Sequence, residues 1–301
     1  MHRKTNLLKS LVKKKVKFII NPIAGARNND SIPDLIRQVF EGQDFVIDLA
    51  ETNCKGHAFD LASIAARESY DYVVAVGGDG TINETASALM NSQVSLGIIP
   101  CGSGNGLARH LGIPMQVTAA LQLILRQKSI RIDAGMVNGK PFFCTAGIGF
   151  DAHIGKLFAS TKKRGFNTYI RTVLQEFFTY QTDTYTITKS GQNEKREAFL
   201  ITFANASQYG NNAYISPEAD IRDGLLDLCI VKPYPKYRTV NICLRLFNKT
   251  LHKSRDVEIT HITEARIDAG NPTCYHLDGE HFELDAHIEV KVVPQCLNVL
   301  V

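Results

Sequence analysis

The sequence lacks a long hydrophobic run. No segment approaches the roughly 18 apolar residues that a membrane-spanning helix needs, and the apolar stretch of the N-terminal region is only Val16–Ile20. That stretch is too short for the core of a secretory signal peptide. We therefore expect neither a membrane span nor a secretory leader, and residues 1–15 are interpreted as a basic leader.

Paired cysteines are also missing. The seven cysteines are scattered, odd in number and without a Cys-x-x-Cys pair. This arrangement argues against a disulfide framework or a zinc site and is typical of reduced thiols in the cytoplasm. A net charge of +4 is too mild to indicate a nucleic-acid partner. With 301 residues, 44% hydrophobic and 21% charged, the chain has the composition of a globular protein long enough for two domains.

The common phosphate-binding signatures are absent as well. The chain contains no G-x-x-x-x-G-K-[ST], which excludes a P-loop enzyme, and no H-R-D and D-F-G pair, which excludes a protein kinase. The dinucleotide motif G-x-G-x-x-G is not met either, and no acidic residue follows at the expected strand end. A nucleotide site in this chain must use another kind of loop.

One glycine-rich turn lies in the segment Val73–Glu84, VVAVGGDGTINE. A buried-strand pattern ends at three glycines, and a helical pattern follows over residues 82–90. Glycines at such a junction let the backbone approach an anion, and the helix N-terminus offers N–H groups to phosphate. Asp79 would repel phosphate directly, so its place there fits a bridging Mg²⁺. The alternative is a tight turn with a surface acid.

Two further strand ends carry similar turns. Leu96–Pro100 is followed by CGSGNGLARHLG, and Val16–Ile20 is followed by Asn21–Gly25. The carboxyl ends of parallel strands meet at one edge of a sheet, where open α/β folds bind ligands. Three coincident turns therefore predict a nucleotide site at that edge.

The pattern of elements divides the chain. Strand and helix signals alternate over 16–134, which predicts an α/β ATP-binding domain with a parallel sheet. Short strand-like pieces dominate 135–290, which predicts an antiparallel β-sandwich domain for the substrate, and 291–301 is a C-terminal segment that could return to the first domain. The active site is expected in the cleft between the domains. The predicted helices are 31–40, 57–67, 82–90, 106–111, 117–126, 165–180 and 238–253.

Five ordered motifs carry a family resemblance. They are VVAVGGDGTINE, IIPCGSGNGLARHLGIP, GIGFDA at Gly147–Ala152, DGLLD at Asp223–Asp227 and LDGE at Leu277–Glu280. Together they resemble the diacylglycerol kinase catalytic-domain family, which includes bacterial lipid kinases, eukaryotic diacylglycerol kinases, and sphingosine and ceramide kinases. The resemblance implies ATP-dependent, Mg²⁺-dependent phosphorylation of a lipid hydroxyl.

The resemblance also implies roles for individual residues. Glu280 would accept the proton of the acceptor hydroxyl with Asp278 beside it, and Asp79 would complete the catalytic acids. Asp223, with backbone carbonyls near Asp220 and Leu225, would form a structural Mg²⁺ site. The alternative is that Asp223-Gly224 is a plain hairpin turn. The residues expected to line the ATP site are Asn21, Pro22, Ile23, Ala24, Gly25, Thr52, Gly77, Gly78, Asp79, Gly80, Thr81, Ile82, Asn83 and Ser103.

The two C-terminal acids make chemical sense without the family. Phosphoryl transfer needs in-line positioning, neutralised charge and a group that takes the hydroxyl proton. Asp278 and Glu280 stand two apart in an extended segment, so strand periodicity would direct both to one face. Which of them is the base stays open, and a hairpin with two solvated acids is the alternative.

The identity of the acceptor is less constrained. Bacterial diacylglycerol kinases usually show G-T-x-N-D in the second turn, whereas residues 102–106 read GSGNG, closer to the sphingosine and ceramide kinase form. Diacylglycerol is the expected acceptor and a long-chain sphingoid base the alternative. An NAD kinase-like enzyme and a non-catalytic nucleotide-binding regulator are the competing functions.

Two amphipathic helices bear on partners. Apolar residues of 165–180 and 238–253 repeat at helical spacing beside basic residues, which suits either a membrane surface or the protein core. We expect a cytoplasmic protein that associates peripherally with the inner membrane face. ATP and a lipid alcohol are the expected partners, and a second copy of the chain is a candidate. The apolar residues of 165–180 are Tyr169, Ile170, Val173, Leu174, Phe177 and Phe178, and those of 238–253 are Val240, Ile242, Cys243, Leu246, Phe247 and Leu251.

Overall fold

Two β-sheets with packed helices make up the fold. The structure is a computed structural model that describes residues 13–25, 31–160, 176–177, 179–270, 273–284 and 287–301. In these residues one sheet has ten strands and the other six. The larger sheet is parallel at one end and antiparallel at the other, while the smaller sheet is antiparallel throughout. The predicted fold class, α/β followed by an antiparallel β part, is confirmed.

The parallel end of the larger sheet has the order β2-β1-β3-β4. Strands β3 and β4 are buried along their whole length, as expected where helices cover both faces of a sheet. Helix α2 has the bounds predicted from the sequence, and α1, α4 and α5 differ from theirs by one residue at an end. These elements are β1 (Lys14–Ile20), α1 (Ile32–Phe40), β2 (Phe45–Glu51), α2 (His57–Arg67), β3 (Tyr72–Gly77), α3 (Asp79–Leu89), β4 (Ser95–Pro100), α4 (Gly106–His110) and α5 (Val117–Leu125).

Helix α3 begins earlier than predicted. The sequence interpretation placed its start at residue 82, after the glycine-rich turn, but the helix starts at Asp79 and Gly78 is its N-cap. The N–H of Ile82 donates to the carbonyl of Gly78 at 3.0 Å, which closes the first helical turn. Glycine was interpreted as a break, whereas here it is tolerated inside the first turn of the helix.

The rest of the chain forms a sandwich. The antiparallel end of the larger sheet packs on the smaller sheet, and Phe142, Tyr185, Phe203 and Tyr275 fill the core between them. The described residues of this part include the helices α6 (Phe150–Ser160) and α7 (Thr239–Phe247). The strands are β5 (Ser129–Val137), β6 (Lys140–Phe142), β7 (Thr145–Gly149), β8 (Asp183–Lys189), β9 (Gln192–Ala198), β10 (Leu200–Ala204), β11 (Leu226–Val231), β12 (Val257–Ile262), β13 (Glu264–Asp268), β14 (Thr273–Leu277), β15 (Glu280–Leu284) and β16 (His287–Leu300).

Strand β16 joins the two ends of the larger sheet. Asn298 and Val299 pair in parallel with Ser95 and Leu96 of β4. The same strand pairs antiparallel with β5 and β13, with a register shift between Val293 and Leu297. The boundary predicted near residue 134 falls inside β5, so a continuous sheet runs through it.

The helices of the second half differ from the two that the sequence predicts there. Helix α6 was not predicted, because Phe150 was assigned to the preceding strand pattern. The single helix expected over 238–253 is divided into α7 and two 3₁₀ turns, Lys236–Arg238 and Leu251–Lys253. The helix expected over 165–180 lies mainly outside the described residues. No helix in the described ranges is long and apolar enough to cross a membrane.

Candidate active site

The three glycine-rich turns lie against one another at the carboxyl edge of the parallel strands. A Cβ added to Gly102 would lie 2.6 Å from the Cα of Gly78, and a Cβ on Gly25 would lie 2.1 Å from the carbonyl oxygen of Cys101. Gly25 also has φ +78°, a conformation that favours glycine. The absence of side chains at these positions allows the contact between turns. Contact between the turns explains why glycines occur at all three strand ends.

Asp79 connects the first turn of α3 to the second glycine-rich turn. One carboxylate oxygen accepts the N–H of Asn105 and the other that of Gly106, each at 2.8 Å. A Cβ on Gly104 would lie 2.7 Å from Oδ2. Burial raises the pKa of Asp79, and the two backbone N–H groups act in the opposite direction. The carboxylate thus fixes the two turns relative to each other, a role that the sequence did not reveal.

Some of the predicted ATP-lining residues lie in or contact the first turns of α3. The Asn21 amide donates to Oγ1 of Thr81 at 3.1 Å, and its Oδ1 accepts the N–H of Ile23. Ile23 is 85% exposed and Ser103 is exposed, so the side chains of both are open to solvent. Thr52 follows the neighbouring strand β2, and its N–H donates to the carbonyl of Ile20 at 2.8 Å.

The loop after Thr52 is held by α3. The carboxylate of Glu84 accepts the N–H of Gly56 at 2.8 Å and that of Ala58 at 3.2 Å, at the N-terminus of α2. Lys55, in the same loop, was missed as a site residue. Its position three residues after Thr52, which was predicted to line the ATP site, was the available signal.

Asp278 lies in the turn of the hairpin formed by β14 and β15. Asp278 and Gly279 have φ +47° and +85°, so they reverse the chain in left-handed conformations. The prediction that Asp278 and Glu280 project from one face of a strand was therefore wrong, because strand periodicity does not pass through this turn. The hairpin that the sequence left as an alternative is present, but Asp278 is not a solvated acid.

The carboxylate of Asp278 accepts four hydrogen bonds. Three come from the backbone N–H groups of Phe143, Cys144 and Thr145 at 2.8–3.0 Å, and the fourth from the amide of Asn83 on α3 at 2.8 Å. Burial raises the pKa of Asp278, and these bonds oppose that shift. This carboxylate attaches the hairpin to both α3 and the segment before β7.

Glu280 has a different environment. Its Oε2 lies 2.9 Å from the Nζ of Lys55, and a Cβ built on Gly80 would lie 3.0 Å from Oε1. The side chain is 36% exposed. Glu280 therefore faces the first turn of α3 and remains open to solvent, whereas Asp278 is enclosed by donors.

The residues expected to form a structural Mg²⁺ site share one loop. Asp220 accepts the N–H of Arg222 at 3.1 Å, and Asp223 accepts the N–H of Leu225 at 2.9 Å. The N–H of Gly224 donates to buried Asp133 at 2.7 Å. Across the part of the chain that the structure describes, no three His, Cys, Asp or Glu side chains form a group that could hold a metal ion. The Mg²⁺ site at Asp223 stays a prediction.

Substituting Asp223 by alanine is expected to erase the stabilisation of the folded protein by Mg²⁺. A metal that binds only the native state raises the melting temperature by mass action. The measurement is thermal unfolding with and without MgCl₂. Asp268→Ala is the matched control, since Asp268 accepts the N–H of Gly270 at 2.9 Å in the same local geometry. If Mg²⁺ shifted the melting temperatures of wild type and Asp223→Ala equally, Asp223-Gly224 would be a plain turn with no bound ion.

Comparison with known proteins identifies the family. The family model described as "Diacylglycerol kinase catalytic domain" matches residues 15–137. A second model, "YegS C-terminal NAD kinase beta sandwich-like domain", matches residues 144–301. The chain belongs to the diacylglycerol kinase family. Its two matched regions follow the parallel and sandwich parts of the fold, and its family membership supports a lipid kinase of the diacylglycerol kinase and YegS type.

Individual relatives agree with membership in the diacylglycerol kinase family. The chain is 26% identical to "Diacylglycerol kinase" of Bacillus subtilis (strain 168) over 273 residues, covering 89% of this chain and 90% of the relative. It is 30% identical to "Probable lipid kinase YegS-like" of Yersinia enterocolitica over 251 residues, covering 81% and 83%. A crystal structure of a diacylglycerol kinase from Bacillus anthracis shares the fold, with a TM-score of 0.73 at 21% identity over 95% of this chain and 96% of that one.

Proposed function

We propose that this member of the diacylglycerol kinase family transfers the γ-phosphoryl group of ATP to the hydroxyl of a lipid alcohol, with Mg²⁺. The observation that carries the proposal is the position of Glu280. Its carboxylate, which comes from the sandwich, faces the first turn of α3 in the parallel part. A proton acceptor supplied by one part of the fold thus stands beside an anion-binding helix terminus supplied by the other.

The start of α3 fits the phosphates of ATP. Its N-cap is Gly78, which has no side chain to occupy the N-terminal N–H groups. The helix dipole and these N–H groups favour an anion at that point. Gly77, Gly78 and Gly80 let the phosphates approach the backbone closely. The adjoining residues Asn21–Gly25, Thr52, Thr81–Asn83 and Ser103 would surround the rest of the nucleotide.

The acids present also fit Mg²⁺. This ion commonly takes one or two carboxylates from the protein and its other ligands from phosphates and water. Asp79 would hold it, because its two carboxylate oxygens have more lone pairs than the backbone N–H groups of Asn105, Gly106 and Asp79 itself occupy. When bound, the ion would neutralise charge on the transferring phosphoryl group.

Three further residues would take part in proton transfer and in positioning the proton acceptor. Glu280 would accept the hydroxyl proton at its carboxylate as the acceptor oxygen attacks, since it is the acid at this junction that is open to solvent. Lys55 would restrain that carboxylate through the 2.9 Å ion pair. Asp278 would be a positioning residue, because its four hydrogen bonds fix the hairpin that carries Glu280.

The acceptor that we propose is diacylglycerol, with a long-chain sphingoid base as the alternative, met at the cytoplasmic face of a membrane. Purified protein should transfer label from γ-labelled ATP into the organic phase of diacylglycerol mixed micelles. Transfer should cease with EDTA and without lipid. Labelled inorganic phosphate released at the same rate in the absence of lipid would contradict the proposal.

Asp79→Asn is expected to lower transfer by about 10²-fold or more, in line with the loss of an electrostatic stabiliser. The substituted amide also places an NH₂ group against one backbone donor, so stability should fall by about 1–3 kcal/mol. Asp60→Asn is the control, because Asp60 is an exposed acid in the first turn of α2. If Asp79→Asn kept the wild-type rate in the mixed-micelle assay, the glycine-rich turn that contains Asp79 would have a structural role only.

A further inference from the structure

Helix α7 and the 3₁₀ turn before it expose a continuous apolar stripe. Tyr237, Val240, Leu244 and Phe247 are 76%, 68%, 56% and 40% exposed. Their spacings of three, four and three residues place them along one side of a helix. The other exposed large apolar residues that the structure describes lie away from α7: Ile23 follows β1, Val46 is on β2, and Phe59 and Ile64 are on α2. We call Tyr237, Val240, Leu244 and Phe247 the α7 stripe.

The stripe is not the core-facing side of α7. Ile242 and Leu246, on the opposite side, pack against the core cluster that contains Phe150 and Phe199. Of the two surfaces that the sequence left open for this helix, the protein core covers the face that carries Ile242 and Leu246. One face packs on the sandwich, and the other presents apolar side chains to solvent.

The segment that carries the stripe is strongly basic. Residues 232–255 contain seven lysines and arginines and no aspartate or glutamate. Lys232 and Arg238 form ion pairs with Glu258 and Asp256 at 2.5 and 2.8 Å, and these two pairs lie at the start of the segment. The remaining basic residues are Lys236, Arg245, Lys249, Lys253 and Arg255.

Helix α7, which carries the stripe, connects to the candidate active site through a short segment. The N–H of Tyr214 donates to the carbonyl of Leu246 at 2.9 Å, and the ammonium of Lys249 lies 4.5 Å from the centre of the Tyr214 ring. Tyr214 pairs with Gln208 in an isolated bridge. At the turn between these two residues, the N–H of Asn211 donates to the carbonyl of Gly104 in the second glycine-rich turn. Residues 208–214 therefore join α7 to the nucleotide end of the cleft.

We propose that the α7 stripe and its basic neighbours dock on an anionic lipid bilayer, with the apolar side chains inserted at the headgroup boundary. This proposal rests on the proposed lipid-kinase function, which requires access to a bilayer. Apolar side chains flanked by lysines and arginines match an anionic lipid interface in both chemistry and charge. A symmetric contact between two copies of this face would bring like charges together, which disfavours a second copy as the occupant.

The test is co-sedimentation with phosphatidylcholine vesicles that contain or lack phosphatidylglycerol, without ATP or acceptor lipid. Wild type should bind the anionic vesicles and lose binding as salt is raised. Val240→Gln with Leu244→Gln should lower the vesicle partition coefficient at least about tenfold, since burial of one such side chain can account for that factor. Lys249→Gln with Lys253→Gln should lower it by about tenfold or more on anionic vesicles only.

Val46→Gln with Ile64→Gln is the matched control, because these residues are also exposed and apolar but lie outside the α7 stripe. It should bind vesicles like wild type. Equal vesicle binding by wild type and the Val240/Leu244 variant would overturn the proposal. So would a wild-type dimer, measured by light scattering, that the same variant converts to a monomer.

The docking surface and the kinase function can fail separately. Loss of vesicle binding in the Val240/Leu244 variant, with wild-type transfer to diacylglycerol in detergent micelles, supports docking and leaves the reaction intact. Stripe-dependent vesicle binding by a protein that transfers no phosphate would support docking and reject the proposed function. Transfer in micelles together with vesicle binding that ignores the stripe would reject docking alone.

Discussion

Glu280→Gln is expected to lower phosphate transfer to a lipid alcohol by about 10²–10⁴-fold, the usual contribution of a positioned general base. Glutamine keeps the size of the side chain and can still face Gly80, but it cannot take a proton from the acceptor. ATP binding should change little, because the base acts on the acceptor. The measurements are the transfer rate in mixed micelles and the Kd for ATP.

The matched control for this variant is on the same strand. Glu283→Gln makes the same chemical change at an exposed position of β15 and should keep the wild-type rate. An effect common to both variants would point to the hairpin as a whole. Full activity of Glu280→Gln would remove Glu280 from the reaction.

Asp278→Asn is expected to act first on stability. The amide can accept at one oxygen only, and its NH₂ group would face backbone donors of the 143–145 segment. Buried donors left without an acceptor cost about 1–3 kcal/mol each, so the free energy of unfolding should fall by about 2–4 kcal/mol. Asparagine tolerates the φ of +47° at this position, so backbone strain is not the cause. Urea unfolding measures the effect.

Activity of the same variant separates the two acids. Asp268→Asn, an exposed carboxyl-to-amide change, should leave stability within about 0.5 kcal/mol of wild type. If Asp278→Asn kept wild-type stability but lost transfer, while Glu280→Gln stayed active, the two roles would be reversed. A folded but unstable Asp278→Asn with partial transfer is the result that the hydrogen bonds predict.

Local patterns were sufficient for much of the fold and for the prediction that the three glycine-rich turns meet at one edge of the sheet. The strands ending at Ile20, Gly77 and Pro100 were recognisable because they are buried on both faces and stop at small residues. Parallel pairing then brings their ends together. The start of α3 could not be predicted in this way, because a glycine-rich segment is compatible with both a turn and the first turn of a helix.

The different surroundings of the two acids could not be predicted, because they depend on contacts distant in sequence. The donors to Asp278 lie 133 to 135 residues earlier in the chain, and Asn83 lies 195 residues earlier. Spacing alone made Asp278 and Glu280 equivalent. The reversal of the chain at Asp278-Gly279 separates them, directing one carboxylate inward and the other toward Gly80.

Helix α7 shows a similar limit. Its sequence contains apolar residues at two sets of helical spacings, so either face could pack on the core. The position of the sandwich decides that Ile242 and Leu246 are covered and that Val240 and Leu244 are not. Amphipathic periodicity identifies a helix with an apolar face, but the surface that covers the face depends on the tertiary fold.

A competition assay tests the central claim most directly. Wild-type protein, Mg²⁺ and γ-labelled ATP are incubated with diacylglycerol, a long-chain sphingoid base and NAD together, and the labelled products are identified by mass. The account predicts label in a phosphorylated lipid, with diacylglycerol preferred, and a loss of that product in Glu280→Gln. Label found mainly in phosphorylated NAD, or ATP bound with no labelled product at all, would contradict it.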